Sequence, residues 1–155
     1  MRIQLRKVSE QRHELAIVRA DGRCESVSCE TRSVLLHDFI HYAVEAEAKI
    51  EAGFWGSLAR GRTLAEMNDR ARPPSGDGDA EMATIERFVG ALHGAAKGQA
   101  AAGVVAGIER YAAGLNEPMP AWLTEAFVVA VQERLRRLVG AWNATPYGET
   151  LELDW

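Results

Sequence analysis

Two histidines, His37 and His41, stand four residues apart in the run Leu36-His37-Asp38-Phe39-Ile40-His41-Tyr42-Ala43-Val44-Glu45. On a helix that spacing puts both imidazoles on one face, one turn from each other, which is what two ligands of a single metal ion require. Glu45 extends the row by a further turn and offers a carboxylate. A divalent ion such as zinc, held by His37, His41 and Glu45, is therefore one expectation. A later helix supplies a second source of ligands, because Glu86 and His93 are seven residues apart and share a face there.

The pentad His37-Asp38-Phe39-Ile40-His41 resembles the zincin metalloprotease motif H-E-x-x-H over those five residues. The resemblance implies metal-dependent hydrolysis with Asp38 standing where the general-base glutamate would be. Aspartate is one methylene shorter than glutamate, and the longer form of the motif departs at Val44 in place of its glycine and at Glu47 in place of its third histidine. The plainer reading is a hydrogen-bonded or solvated histidine pair, since His37, His41 and Glu45 fall nearly opposite the apolar stripe of their helix. If a small-molecule pocket is present, it is expected between that second face and the later helices, lined by His37, His41, Tyr42, Glu45 and His93.

Other chemistry is less well supported. Ser57 and Ser75 lack a G-x-S-x-G context, and Cys24 and Cys29 have no neighbouring base or helix N-terminus to generate a thiolate. Gly53-Phe54-Trp55-Gly56 is no phosphate-cradling loop; Phe54 and Trp55 read as a core plug or as an aromatic anchor for a partner. Arg134, Arg136 and Arg137 alternate with Glu133 and Leu135, which is the pattern of a solvated helix face.

The elements that position these groups can be read from periodicity. Ile3 to Val8, Glu14 to Arg19 and Arg23 to Cys29 are extended runs, the last two joined by the Asp21-Gly22 turn, so an antiparallel three-stranded meander is expected. Cys24 and Cys29 then fall on opposite faces of one strand and stay reduced. From Thr31 the period changes to 3.6. A helix over 34–52 is expected, capped by Ser33 or Thr31 and stopped by Gly53, with Leu35, Leu36, Phe39, Tyr42, Ala43, Ala46 and Ile50 covering the sheet.

A short helix over 57–68 follows, then a mobile loop over 69–79 rich in Pro and Gly, then helices over 81–97 and 100–113. The last helix runs from Pro120 to Ala141, and Glu149 to Trp155 alternates as a returning strand. The glycines at 90, 94, 98, 103 and 107 favour tight packing between helices, and secondarily a seam between two copies of the chain.

The two periodicities occupy separate parts of the chain, so the expected fold is one α+β domain over 1–155. It has an antiparallel sheet of three or four strands packed against about four or five helices. With 18 Lys plus Arg against 22 Asp plus Glu, the net charge of −4 disfavours nucleic acid as a partner. No apolar run reaches the roughly 20 residues of a membrane span, and no signal peptide is read at the N-terminus.

The meander, the Leu36 to Glu45 run and Gly53-Phe54-Trp55-Gly56 together resemble a group of small uncharacterised bacterial proteins over roughly the first 70 residues. The resemblance implies a bacterial cytoplasmic protein and carries no activity. No acid–base pair, nucleophile or organic cofactor loop stands above its plainer reading. A noncatalytic binding or interaction module is accordingly expected, with a second copy, another protein or a small molecule as partner. The alternative is a metal-dependent hydrolase or other metalloprotein built on His37 and His41.

Overall fold

The computed structural model describes residues 1–68 and 77–155. Strands form where alternation is clearest: β1 (Arg2–Lys7), β2 (Arg12–Val18) and β3 (Cys24–Glu30) make the antiparallel meander. The returning strand β4 (Thr150–Asp154) pairs with β1, giving the order β3-β2-β1-β4. Register places Leu153, Ile3 and Ile17 in one cross-strand row and Leu151, Leu5, Leu15 and Val27 in the next. These rows form the apolar face, and every helix lies elsewhere in the chain, so the fold is α+β.

The entry into the first helix differs from the expected capped start. Thr31–Leu35 make one wide π-helical turn before α1 (Leu36–Ala48) begins, and neither Ser33 nor Thr31 caps it. Both hydroxyls are engaged elsewhere: Ser33 Oγ donates to Glu30 Oε2 at 2.6 Å, and Thr31 Oγ1 lies 3.2 Å from His13 Nδ1. The helix also stops earlier than Gly53. Lys49 takes a left-handed conformation at φ 54° and closes the C-terminus with its N–H on the Glu45 carbonyl.

Two short helices, α2 (Phe54–Ala59) and α3 (Leu64–Asn68), follow. Residues 69–76 of the expected loop lie outside the described residues, and 77–79 are already helical, because α4 spans Asp77–Ala91. After it come α5 (His93–Ala96), α6 (Ala101–Leu115) and α7 (Glu125–Ala144). α7 begins later than Pro120; Thr124 is its N-cap, accepting from Phe127 N–H at 3.2 Å. Its stripe Phe127, Val128, Val131, Leu135, Leu138 and Trp142 is buried as periodicity requires. Lys7 ties its far end to the sheet, Nζ donating to the carbonyls of Trp142 at 3.1 Å and Thr145 at 2.9 Å.

The glycine stripe does not do what its spacing suggested. A Cβ at Gly90 or Gly107 would meet nothing within 4 Å, and one at Gly94 or Gly103 would meet mainly the Gln99 side chain. Among the described residues Gly90, Gly103 and Gly107 border an open groove between α4 and α6 rather than a close backbone crossing. No described helix is long and apolar enough to cross a membrane.

α1 holds the central place. Every residue from Asp38 to Glu45 is buried, because the helix is packed on by α7, α2 and α4 as well as lying beside the sheet. Its polar row therefore cannot be a solvated face, and each polar group on it needs a partner.

Candidate metal centre and its cavity

Glu45 is completely buried and is held by the turn that follows α1. Its Oε1 accepts from Phe54 N–H at 2.8 Å, and its Oε2 accepts from Trp55 and Gly56 N–H at 3.0 and 3.3 Å. The Gly-Phe-Trp-Gly sequence thus serves to wrap backbone donors around a carboxylate. Gly53 is needed because a Cβ there would fall 2.1 Å from Glu45 Cδ, and Gly56 because its Cβ would fall 2.1 Å from the Glu51 carbonyl oxygen. Trp55 plugs the core beside this turn and donates its indole N–H to the Asp38 carbonyl at 3.3 Å.

With both Glu45 oxygens accepting backbone donors, His41 Nδ1 at 3.1 Å is the donor in the contact between them. That fixes the ring and directs Nε2 away from Glu45, toward His37 and Glu86. His41 Nε2 is buried without a hydrogen-bond partner. It lies 3.2 Å from Glu86 Oε1, but off the line that a hydrogen bond requires. His37 Nε2 is 3.8 Å from Glu86 Oε2, and the two histidine rings meet edge to face at 4.7 Å.

The ligand atoms of His37, His41 and Glu86 all lie within 4.8 Å of one another. Three ligands around a tetrahedral ion at about 2.1 Å would be roughly 3.4 Å apart, so small rotations of His37 and Glu86 bring the set to bonding distance. His41 needs no such adjustment, and the carboxylate behind it is the outer partner that metal-bound histidines usually have.

The electrostatics follow from the same neighbours. Burial pulls the His41 imidazolium down, but the carboxylates of Glu45 and Glu86 outweigh it and raise its pKa to about 9. Burial and the nearby His41 charge keep His37 below its ordinary value. Burial pushes Glu86 up, yet its contact with His41 prevails and leaves it below the usual carboxylate range. Asp38 has no such compensation: burial raises its carboxyl to about 7 despite the pull of His41, and its Oδ2 is sealed from solvent without a partner.

Asp38, His37, His41 and Glu86 line a cavity of about 560 Å³. Its walls are Leu15, Val27 and Cys29 of the sheet, Ser33 and Val34 before α1, Phe54 of α2, and Leu64 and Met67 of α3. It therefore opens between α1 and the β2–β3 side of the sheet, not among helices alone. His37 and Asp38 follow the wide turn at Thr31–Leu35 and share this lining with the sheet residues.

Three of the residues expected at the site lie elsewhere. Glu45 stands behind His41, its oxygens already occupied, and is not among the gathered ligand atoms. His93 stacks on His37 at 6.0 Å and flanks the centre without joining it. Tyr42 faces the C-terminal strand, its hydroxyl donating to the Asp154 carbonyl at 2.7 Å. Phe54 does reach the cavity, whereas Trp55 does not. The anchoring of Glu45 was legible only as a glycine-rich turn nine residues further on, with no signal tying the two together. No protein-family model, curated protein or solved structure matches the chain, so the reading of this site rests on its own geometry.

Proposed function

We propose that the protein is a metal-binding module that holds a divalent transition ion, zinc by ligand type, between His37, His41 and Glu86. Its open coordination side would be turned toward the cavity. One observation carries the reading: His41 Nε2 is buried and unpartnered while its Nδ1 is locked by a carboxylate that three backbone donors hold in place. Two imidazoles and one carboxylate with a free position suit zinc or a similar ion.

The test is elemental analysis of protein purified without a histidine tag, repeated for His37→Ala, His41→Ala and Glu86→Ala. Near-stoichiometric metal that is lost in His41→Ala and weakened in the other two supports the reading. Protein that takes up no zinc on titration rejects it.

A second reading has its own support. Without an ion, a protonated His41 between Glu45 and Glu86 is an ion-pair cluster that joins α1 to α4, and the chain would then be a noncatalytic interaction module. Self-association belongs to that reading, through the open groove between α4 and α6 where Tyr111 is exposed. Light scattering over a roughly tenfold concentration range checks it, and a strictly monomeric mass rejects it. A bacterial, cytoplasmic setting is consistent with either reading, on the resemblance of the first 70 or so residues to small bacterial proteins.

A further inference from the structure

Away from the metal centre, His13 is a second buried imidazole with an unanswered nitrogen. It stands on the apolar face of β2, in line with Leu15 and Ile17, and is 0% exposed. Its Nδ1 lies 3.2 Å from Thr31 Oγ1, while Nε2 is sealed and has no hydrogen-bond partner. The ring meets Trp142, near the end of α7, edge-on at 5.8 Å. His13 thereby joins three segments: its own strand, the wide turn before α1 that Thr31 opens, and the last turns of α7.

This joint has no place for a second proton. In an imidazolium both nitrogens donate; Thr31 can accept from one, and among the described residues nothing accepts from the other. Neighbouring charge adds to the cost. The sheet register sets Lys7 of β1 and Cys29 of β3 directly across from His13. Lys7 Nζ already lies 5.2 Å from the centre of the Trp142 ring, so a charged His13 would bring a second cation to the same indole. Burial raises the Cys29 thiol, which therefore brings no negative charge. Asp38 of α1 acts on Cys29 and not on His13, and its carboxyl, raised to about 7, is neutral in acid. Burial accordingly holds the His13 imidazole below its ordinary value of 6.5.

We infer that His13 is an acid-sensitive latch: neutral, it holds the Thr31–Leu35 turn and the end of α7 on the sheet, and protonated, it lets them open. The device requires no bound ion. Its sign follows from linkage. Once opened to water, His13 regains its ordinary 6.5 and takes a proton that the closed form refuses. The opening constant therefore rises about tenfold for each pH unit below about 6.5, until the pH reaches the closed form's own lower pKa. Above 6.5 the latch stays shut.

Amide hydrogen exchange of the full chain with a chelator present, from about pH 5 to 7.5 and corrected for intrinsic rates, reads this opening segment by segment. His37 and Asp38 titrate over the same range, so two variants carry the comparison. His13→Phe keeps a buried ring, His13→Gln keeps a hydrogen bond to Thr31, and neither takes a proton. The wild-type chain is expected to lose protection in the Thr31–Leu35 turn and the end of α7 by about tenfold per pH unit, with α6 unaffected, and both variants to lose that rise. No acid rise in the wild type overturns the inference, as does an equal rise in the variants. If neither variant folds, NMR titration of the His13 imidazole in the wild type decides. Protonation below 6.5 that coincides with lost protection in α7 supports the latch; protonation at or above 6.5, or with α7 still protected, overturns it.

Discussion

Glu45 and Gly53 occupy one another's space: the glutamate Cδ lies 2.1 Å from where a Cβ on the glycine would be. The absent side chain is what lets the Phe54, Trp55 and Gly56 amides close on the carboxylate. Through the 3.1 Å contact to His41 Nδ1, a backbone turn thereby sets the orientation of a buried imidazole. Gly53→Ala is expected to destabilise the protein by about 2–4 kcal/mol and to weaken zinc affinity in parallel, since the glutamate must move. Denaturant unfolding alongside a zinc titration checks both; a variant of unchanged stability would contradict the close fit.

Glu45→Ala should cost more, about 3–5 kcal/mol, because it strands three backbone donors and the His41 N–H in a dry interior. Glu45→Gln keeps the shape and should recover part of that loss. The comparison separates packing from charge, and equal losses in both variants would show that shape is irrelevant there.

Two contributions to the stability of the metal-free protein should be lost as pH rises, in successive windows. Asp38 has its pKa raised from 3.8 to about 7, so the folded chain holds a proton that the unfolded chain releases, and stability falls between about pH 4 and 7. His41 is raised from 6.5 to about 9; its contribution is fully present below pH 6.5 and is lost as pH rises through 9. Each step is on the order of a few kcal/mol. Asp38→Asn should abolish the lower slope and His41→Ala the upper one. Urea titrations across pH 4 to 10 in the presence of a chelator read both.

Arg19 ties the sheet to the short helices. Its guanidinium pairs with Glu25 at 2.5 Å and donates to the carbonyls of Leu58 and Arg62, while Glu25 accepts from Leu64 N–H at 2.9 Å. Arg19→Lys cannot reproduce this fork of donors and should cost about 1–3 kcal/mol, with Arg19→Ala worse. Hydrogen exchange should show the loss concentrated in α2 and α3; protection lost evenly across the sheet would contradict this assignment.

Lys49 closes α1 with a left-handed backbone that glycine adopts more readily. Lys49→Gly is expected to stabilise the protein slightly, by up to about 1 kcal/mol, in a thermal melt. A clear loss would mean that the lysine side chain contributes more than its backbone costs.

Much of the architecture was legible in the chain alone, because alternation and 3.6-residue periodicity are local properties. The meander, the returning strand at Thr150–Asp154 and the apolar stripe of α7 all follow from which residues repeat at which spacing. The His37 and His41 spacing was equally local, and so was the kinship of Glu86 and His93 on one helix face. Tertiary structure decided what those groups meet. Whether His41 faces water or a sealed interior depends on α2, α4 and α7 closing around α1, contacts between residues far apart in sequence. Glu45 looked like a ligand because spacing shows which face a side chain shares, but not which backbone amides will claim its oxygens. Asp38 became a buried carboxyl with an unpartnered oxygen because the sheet, α2, α3 and α4 close around that face of α1, and contacts between distant segments are not written in a helix's own periodicity.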